Sequence, residues 1–156
     1  MRILIAVIIA TLAGCAPKVK MSYNQRATLR HTYSIFIYPE NPQAKQFVSI
    51  LREHLKWEQY LYLPKERSEA DSTMGVLLKE KKVGSSRELH LTLNIRELSE
   101  NNTYTIKVLL SVPDRNACEI AARHLAHHMD ELLVLPPDAN AGTLYYNLSD
   151  PSCETK

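Results

Sequence analysis

The chain has 156 residues, of which 45% are hydrophobic and 23% charged, enough for one domain with a modest core. Nineteen Lys and Arg stand against seventeen Asp and Glu, a net charge of +2 with no basic block, which argues against nucleic acid as a partner. Four glycines, no internal repeat and no low-complexity tract leave little material for a phosphate-cradling loop or a repeat array.

Residues 1–14 carry one positive charge at Arg2, then an uncharged aliphatic run from Ile3 that closes on the small residues Ala13 and Gly14. That is the grammar of a secretory signal. The run is about twelve residues long, whereas a membrane-spanning helix needs roughly 20. Pro17, Lys18 and Lys20 follow at once, so a span is not expected. Residues 15–31 are polar and read as a tether.

A globular domain is expected over 32–134. Tyr33 to Tyr38 is β-branched and aromatic and predicts a first strand, stopped by Pro39. Asn41 offers a helix N-cap, with Pro42 at the first helical position. Ala44, Phe47, Val48, Leu51 and Leu55 then recur at helical spacing and give one apolar face to a helix from about Pro42 to Trp57. Tyr60-Leu61-Tyr62-Leu63 predicts a second strand, residues 65–72 a polar loop, and Met74 to Lys81 a third strand.

After a Gly84-Ser85-Ser86 turn comes the clearest alternation in the chain. Leu89, Leu91, Leu93 and Ile95 alternate with His90, Thr92, Asn94 and Arg96. Asn101-Asn102 suits a hairpin turn, and Tyr104, Ile106, Val108, Leu110 and Val112 return with the same period. A second helix is predicted from Arg115 to Leu133, its stripe formed by Cys118, Ala121, Ala122, Leu125, Met129 and Leu132. Residues 135–156 read as a tail whose Leu144-Tyr145-Tyr146 and Leu148 suit an edge strand or a cover for the sheet's end.

The expected order is therefore β-α-β-β-β-β-α. It predicts an α+β fold, a two-layer sandwich with two helices on one face of a four- to five-stranded, mostly antiparallel sheet. The other sheet face is expected to be polar and open, and His90, Thr92, Asn94 and Arg96 on it are a candidate binding surface against the plainer reading of a solvated face.

Leu12-Ala13-Gly14-Cys15 resembles the lipobox of bacterial lipoproteins at all four positions. The resemblance implies transfer of a diacylglyceryl group to the Cys15 thiol, cleavage before Cys15 and acylation of the new amine. Two or more acyl chains hold a protein stably where one does so only marginally. Ala16, rather than Asp, follows the cysteine, which implies export to the outer membrane, facing the periplasm, in a Gram-negative host. The order of elements over 32–133 also resembles small envelope lipoproteins such as the LptE family and auxiliary lipoproteins of ABC-type transporters. That likeness lies in element order alone and transfers no site residue.

Cys118 and Cys153 remain besides Cys15. In an exported chain an even pair suggests a disulfide, which over a loop of about 36 residues stabilises by roughly 3–4 kcal/mol. Two free thiols are the alternative. His124, His127 and His128, with Glu131 a turn on, share one helix face and suggest a zinc site. Leu125 stands where a metalloprotease helix would carry its Glu, and solvated histidines opposite the apolar stripe are the plainer reading. No cofactor is expected beyond the lipid on Cys15. With no nucleophile elbow, Rossmann glycine pattern or paired-carboxylate motif, the expected role is non-enzymatic: a binding or assembly component held at a membrane, with an envelope protein as partner. A lipid or amphiphile transport auxiliary and a metal-binding protein are the alternatives.

Overall fold

The computed structural model describes residues 20–21, 34–58, 61–99, 103–133 and 143–148. The strands are β1 (Lys20–Met21), β2 (Ile35–Pro39), β3 (Ser72–Val83), β4 (Ser86–Glu97), β5 (Thr103–Pro113) and β6 (Thr143–Asn147). The helices are α1 (Ala44–Leu55), α2 (Ala117–His127) and α3 (Met129–Leu133), with a short 3-10 turn at Arg67–Glu69. The strands form one sheet in the order β1-β6-β5-β4-β3-β2. Within it β2–β3 and β5–β6 pair in parallel and the other three pairs are antiparallel. This is the α+β arrangement expected from the alternation.

The hairpin of β3 and β4 turns through Gly84 and Ser85, with Val83 opposite Ser86. Gly84 takes φ +59°, the positive value that the first central position of a two-residue hairpin turn requires of glycine. Alternation then sends one set of side chains to each face. Met74, Val76 and Leu78 on β3 stand beside Ile95, Leu93 and Leu91 on β4. These meet Tyr104, Ile106 and Val108 on β5, and Leu144 and Tyr146 of β6 continue the rows. All are buried, with exposures of 0–7%.

Helices α1 and α2 cover this apolar face side by side. α1 contributes Ala44, Phe47, Val48, Leu51 and Leu55, all buried, and α2 contributes Ala117, Ala121, Ala122, Leu125 and Ala126. The alanines of α2 let the helix lie close to β5. Across the outer surface of the helix pair, His54 Nε2 of α1 and Glu119 Oε1 of α2 sit 2.9 Å apart.

Asn41 works as the sequence suggests. Its Oδ1 accepts the Ala44 N–H at 3.2 Å, three residues on, as an N-cap does. The edge strand β2 is closed from outside by Arg52. Its guanidinium donates to Ile37 O at 3.1 Å and Pro64 O at 3.3 Å, satisfying an outward carbonyl that another chain could otherwise pair with.

Three expectations are corrected. Tyr60–Leu63 does not form a strand: Tyr62 makes an isolated parallel bridge to Ser34, its carbonyl accepting the Ile35 N–H at 3.0 Å, and Tyr60 lies outside the described residues. Pro64 removes a donor directly after this run, and the ladder goes no further. The second helix is not continuous, because His128 (φ −101°, ψ 6°) leaves the helical region and separates α2 from α3. Cys118 is a free, half-buried thiol, so the pairing with Cys153 finds no support; Cys153 itself lies outside the described residues. Cys15 and the Asn101-Asn102 turn also lie outside them. Lys20–Met21, read from sequence as part of a tether, pairs with Leu144 and Tyr145 of β6.

Candidate functional site

The face of the sheet turned away from α1 and α2 mixes polar with aromatic and aliphatic side chains, which form rows across the strands. Phe36, Thr73, Arg96 and Thr103 make one row, and Tyr38, Gly75, Asn94, Thr105 and Thr143 the next. Leu77, Thr92, Lys107 and Tyr145 follow, then Lys79, His90, Leu109 and Asn147. All four residues of the expected surface, His90, Thr92, Asn94 and Arg96, therefore lie on this face, but they do different things.

Asn94 belongs to a hydrogen-bonded line from Glu40, just past β2, through β4 to Thr105 on β5. Its Nδ2 donates to Glu40 Oε2 at 2.8 Å, and its Oδ1 accepts the Thr105 hydroxyl at 3.1 Å. Glu40 reaches it by crossing over Gly75, where a Cβ would collide with the Glu40 carboxylate. Gly75 is thus the gap through which β2's end reaches β4. His90 lies farther along β4, with its Nε2 3.5 Å from Glu88 Oε2.

The first two rows border a cavity of about 560 Å3. Arg67, from the 3-10 turn, and Arg96, from β4, line it together with Tyr38, Thr73, Thr103 and Thr105. The Arg67 guanidinium lies 5.9 Å from the centre of the Tyr38 ring, a cation–π contact that holds the long side chain over the opening. Among the described residues that line it, none is a carboxylate. The site thus offers two guanidinium groups, several hydroxyls and an aromatic surface, a set suited to recognising carboxylate- or carbonyl-bearing surfaces. It holds no described nucleophile–base pair.

Arg67 and Glu40 were not legible as site residues. Arg67 sits in a polar stretch indistinguishable from a solvated loop, and Glu40 follows a proline with no periodicity to place it. The one available signal was Gly75 inside an apolar strand, a mark of close approach by another group.

The histidines lie on the other side of the molecule, at the end of α2. The His124 and His128 ring centres are 6.5 Å apart, and those of His127 and His128 5.3 Å apart, edge to face. His128 Nδ1 faces Glu131 Oε2 at 3.4 Å across the break between α2 and α3. Among the described residues no group of three His, Cys, Asp or Glu is placed to hold a metal ion. Burial, then the nearby carboxylates of Glu80 and Glu119, pushes the Cys118 thiol up to about 11, far from a reactive thiolate.

Among the described residues no helix is long and apolar enough to cross a membrane. No protein-family model and no curated protein matches the chain. Several solved structures are similar in outline. A PelC variant dodecamer from Paraburkholderia phytofirmans is 15% identical with a TM-score of 0.47, covering 78% of this chain and 100% of its own. An uncharacterized lipoprotein B from Nitrosomonas europaea is 9% identical with a TM-score of 0.41, covering 72% and 92%. A DUF330 protein from Xanthomonas campestris is 10% identical with a TM-score of 0.47, covering 75% and 90%.

Proposed function

We propose that this protein is a lipid-anchored, non-enzymatic component of a bacterial envelope that binds a partner protein through the open face of its sheet. The observation that carries the binding half is the cavity bordered by Arg67, Arg96 and Tyr38 on a face that no described helix covers. Arginine and tyrosine are the residues that concentrate binding energy at protein interfaces, and two guanidinium groups beside hydroxyls fit acidic side chains and chain-terminal carboxylates. The anchoring half rests on Leu12-Ala13-Gly14-Cys15.

A lipid carrier would need an apolar cleft between helices and sheet. That space is filled by Phe47, Leu51, Met74 and Leu93, none of which has any exposed surface. The partner-binding reading is therefore preferred.

The test uses acylated full-length protein in its native envelope, with a photocrosslinking side chain at Thr103 on the open face or at Lys45 on the outer surface of α1. Defined adducts from Thr103 that vanish with Arg67→Ala and Arg96→Ala, and none from Lys45, are expected. Adducts of the same pattern from both positions would sink the proposal.

A further inference from the structure

We infer that the turn of the β3–β4 hairpin rests on the bilayer that holds the lipid anchor, and that the arginine-lined cavity stands at the end of the sheet away from it. The inference rests on the anchoring reading of Cys15 and extends it to an orientation.

The argument starts from β1. Lys20 pairs with Tyr145, which stands in one row with Lys107, Thr92 and Leu77. β1 is antiparallel to β6, β6 is parallel to β5, and β5 runs toward Pro113, which lies opposite Ser86. β1 therefore has its N-terminal end, Lys20, on the side of the Val83–Ser86 turn. Cys15 precedes Lys20 by five positions in sequence, a contour of at most about 18 Å from the row of Lys20. The hairpin turn lies six residues beyond the same row, from Leu77 to Val83, or about 20 Å at the rise of a strand. A bilayer carrying the acyl chains of Cys15 thus meets the turn whenever the sheet stands on its end.

Charge and exposure favour that stance. The turn end holds five cations, Lys79, Lys81, Lys82, Arg87 and Arg115, against Glu80, Glu88 and Asp114, the last paired with Lys82 and Arg87. At the opposite end, residues 58–71 hold Glu58, Glu66, Glu69 and Asp71 against Lys65 and Arg67. Anionic headgroups attract the first and repel the second. Val83, 44% exposed at the turn, gives the contact an apolar point beside exposed Lys81 and Lys82. The cavity lies on the rows nearest the other end, and Trp57, 86% exposed after α1, shares that end.

The test places an environment-sensitive fluorophore at Ser85→Cys or, as control, at Ser68→Cys in acylated protein whose Cys118 and Cys153 are replaced by Ala. The protein is reconstituted in phosphatidylethanolamine–phosphatidylglycerol vesicles containing a headgroup-linked nitroxide. Quenching of the Ser85 label at least twofold greater than that of the Ser68 label is expected, and Lys81→Glu with Val83→Asp abolishes the difference at unchanged acyl mass. Equal quenching at both positions, or greater quenching at Ser68, overturns the orientation while leaving the anchor intact. An N-terminal peptide mass without acyl groups overturns the anchor itself, and this inference with it.

Discussion

The side chain of Asn41 pairs with the backbone of Leu78 as a strand would: its Nδ2 donates to Leu78 O at 2.7 Å and its Oδ1 accepts the Leu78 N–H at 3.1 Å. The pairing falls in register. Pro39 stands opposite Val76, and the Glu40 N–H donates to Val76 O at 2.8 Å, so the next step along the parallel ladder is Leu78. Asn41 thus lets the backbone turn into α1 while its amide continues the sheet. Asn41→Ala removes both bonds and the cap to Ala44, leaving backbone groups of β3 unpaired in a partly buried place. A loss of about 2–3 kcal/mol is expected, read as a lower denaturant midpoint at unchanged slope.

Gly75 and Glu40 make a second coupled pair. Gly75→Ala forces Glu40 off its path and breaks its bond to Asn94, at a cost of about 1 kcal/mol. In a Glu40→Ala background the same change is expected to be neutral or favourable, because the obstruction is gone. Equal costs in the two backgrounds, measured as a double-mutant cycle, would contradict the crossing.

Tyr104 is buried, and its hydroxyl has no hydrogen-bond partner among the described residues. Burial first, then the nearby charge of Glu97, raises its phenol above the usual value near 10. Tyr104→Phe is therefore expected to leave stability unchanged or raise it by about 1 kcal/mol. The pH dependence follows from the raised pKa. The contribution is fully present below the unfolded phenol's value and is lost as pH rises above it, since only the unfolded chain ionises readily. Alkaline unfolding above about pH 10 should be milder in the Phe variant.

Asp114 takes hydrogen bonds from Lys82 and Arg87, and these hold its carboxyl below the usual carboxylate range. Stability from this group is present above the unfolded carboxylate's value and lost as pH falls through the folded one. Asp114→Asn is expected to flatten the acid limb of a stability–pH profile. An unchanged acid limb would mean that the trio contributes nothing measurable.

Cys118, with its thiol raised to about 11, should react with iodoacetamide at pH 8 far more slowly than a free peptide thiol and reach the peptide rate once unfolded. Mass measurement of unreduced protein after alkylation in denaturant then counts free thiols directly. Modification of both Cys118 and Cys153 would confirm two free thiols, and modification of neither would restore the disulfide.

The hairpin strands and α1 were legible because half-burial writes its period into the sequence: Leu89 to Ile95 and Phe47 to Leu55 each face one core. The parallel pairs were not, since nothing local tells Ile35–Pro39 that its neighbour begins at Ser72, or Thr143–Asn147 that it lies beside β5. Tyr60–Leu63 had the composition of a strand, but its pairing with the edge of β2 stops at Tyr62, where Pro64 removes a donor and Arg52 takes the Ile37 carbonyl. The open face itself was legible from His90, Thr92, Asn94 and Arg96, but its cavity was not. Arg67 and Tyr38 come to it from separate elements, and their meeting depends on how the 3-10 turn folds back over β2.

The brevity of β1 has a mechanical consequence. On the proposed anchor, a pull at Cys15 would reach the domain first through Lys20–Met21, a clasp of two residues on the strand that follows the whole fold in sequence. While the clasp holds, the leash measures at most about 18 Å. Once it slips, the next described residue is Ser34, and the contour from Cys15 lengthens to at most roughly 68 Å. The same slip bares the outer edge of β6. On that anchor the domain would have two ranges of travel from the membrane, and a strand occupying the bared edge would hold it at the longer one.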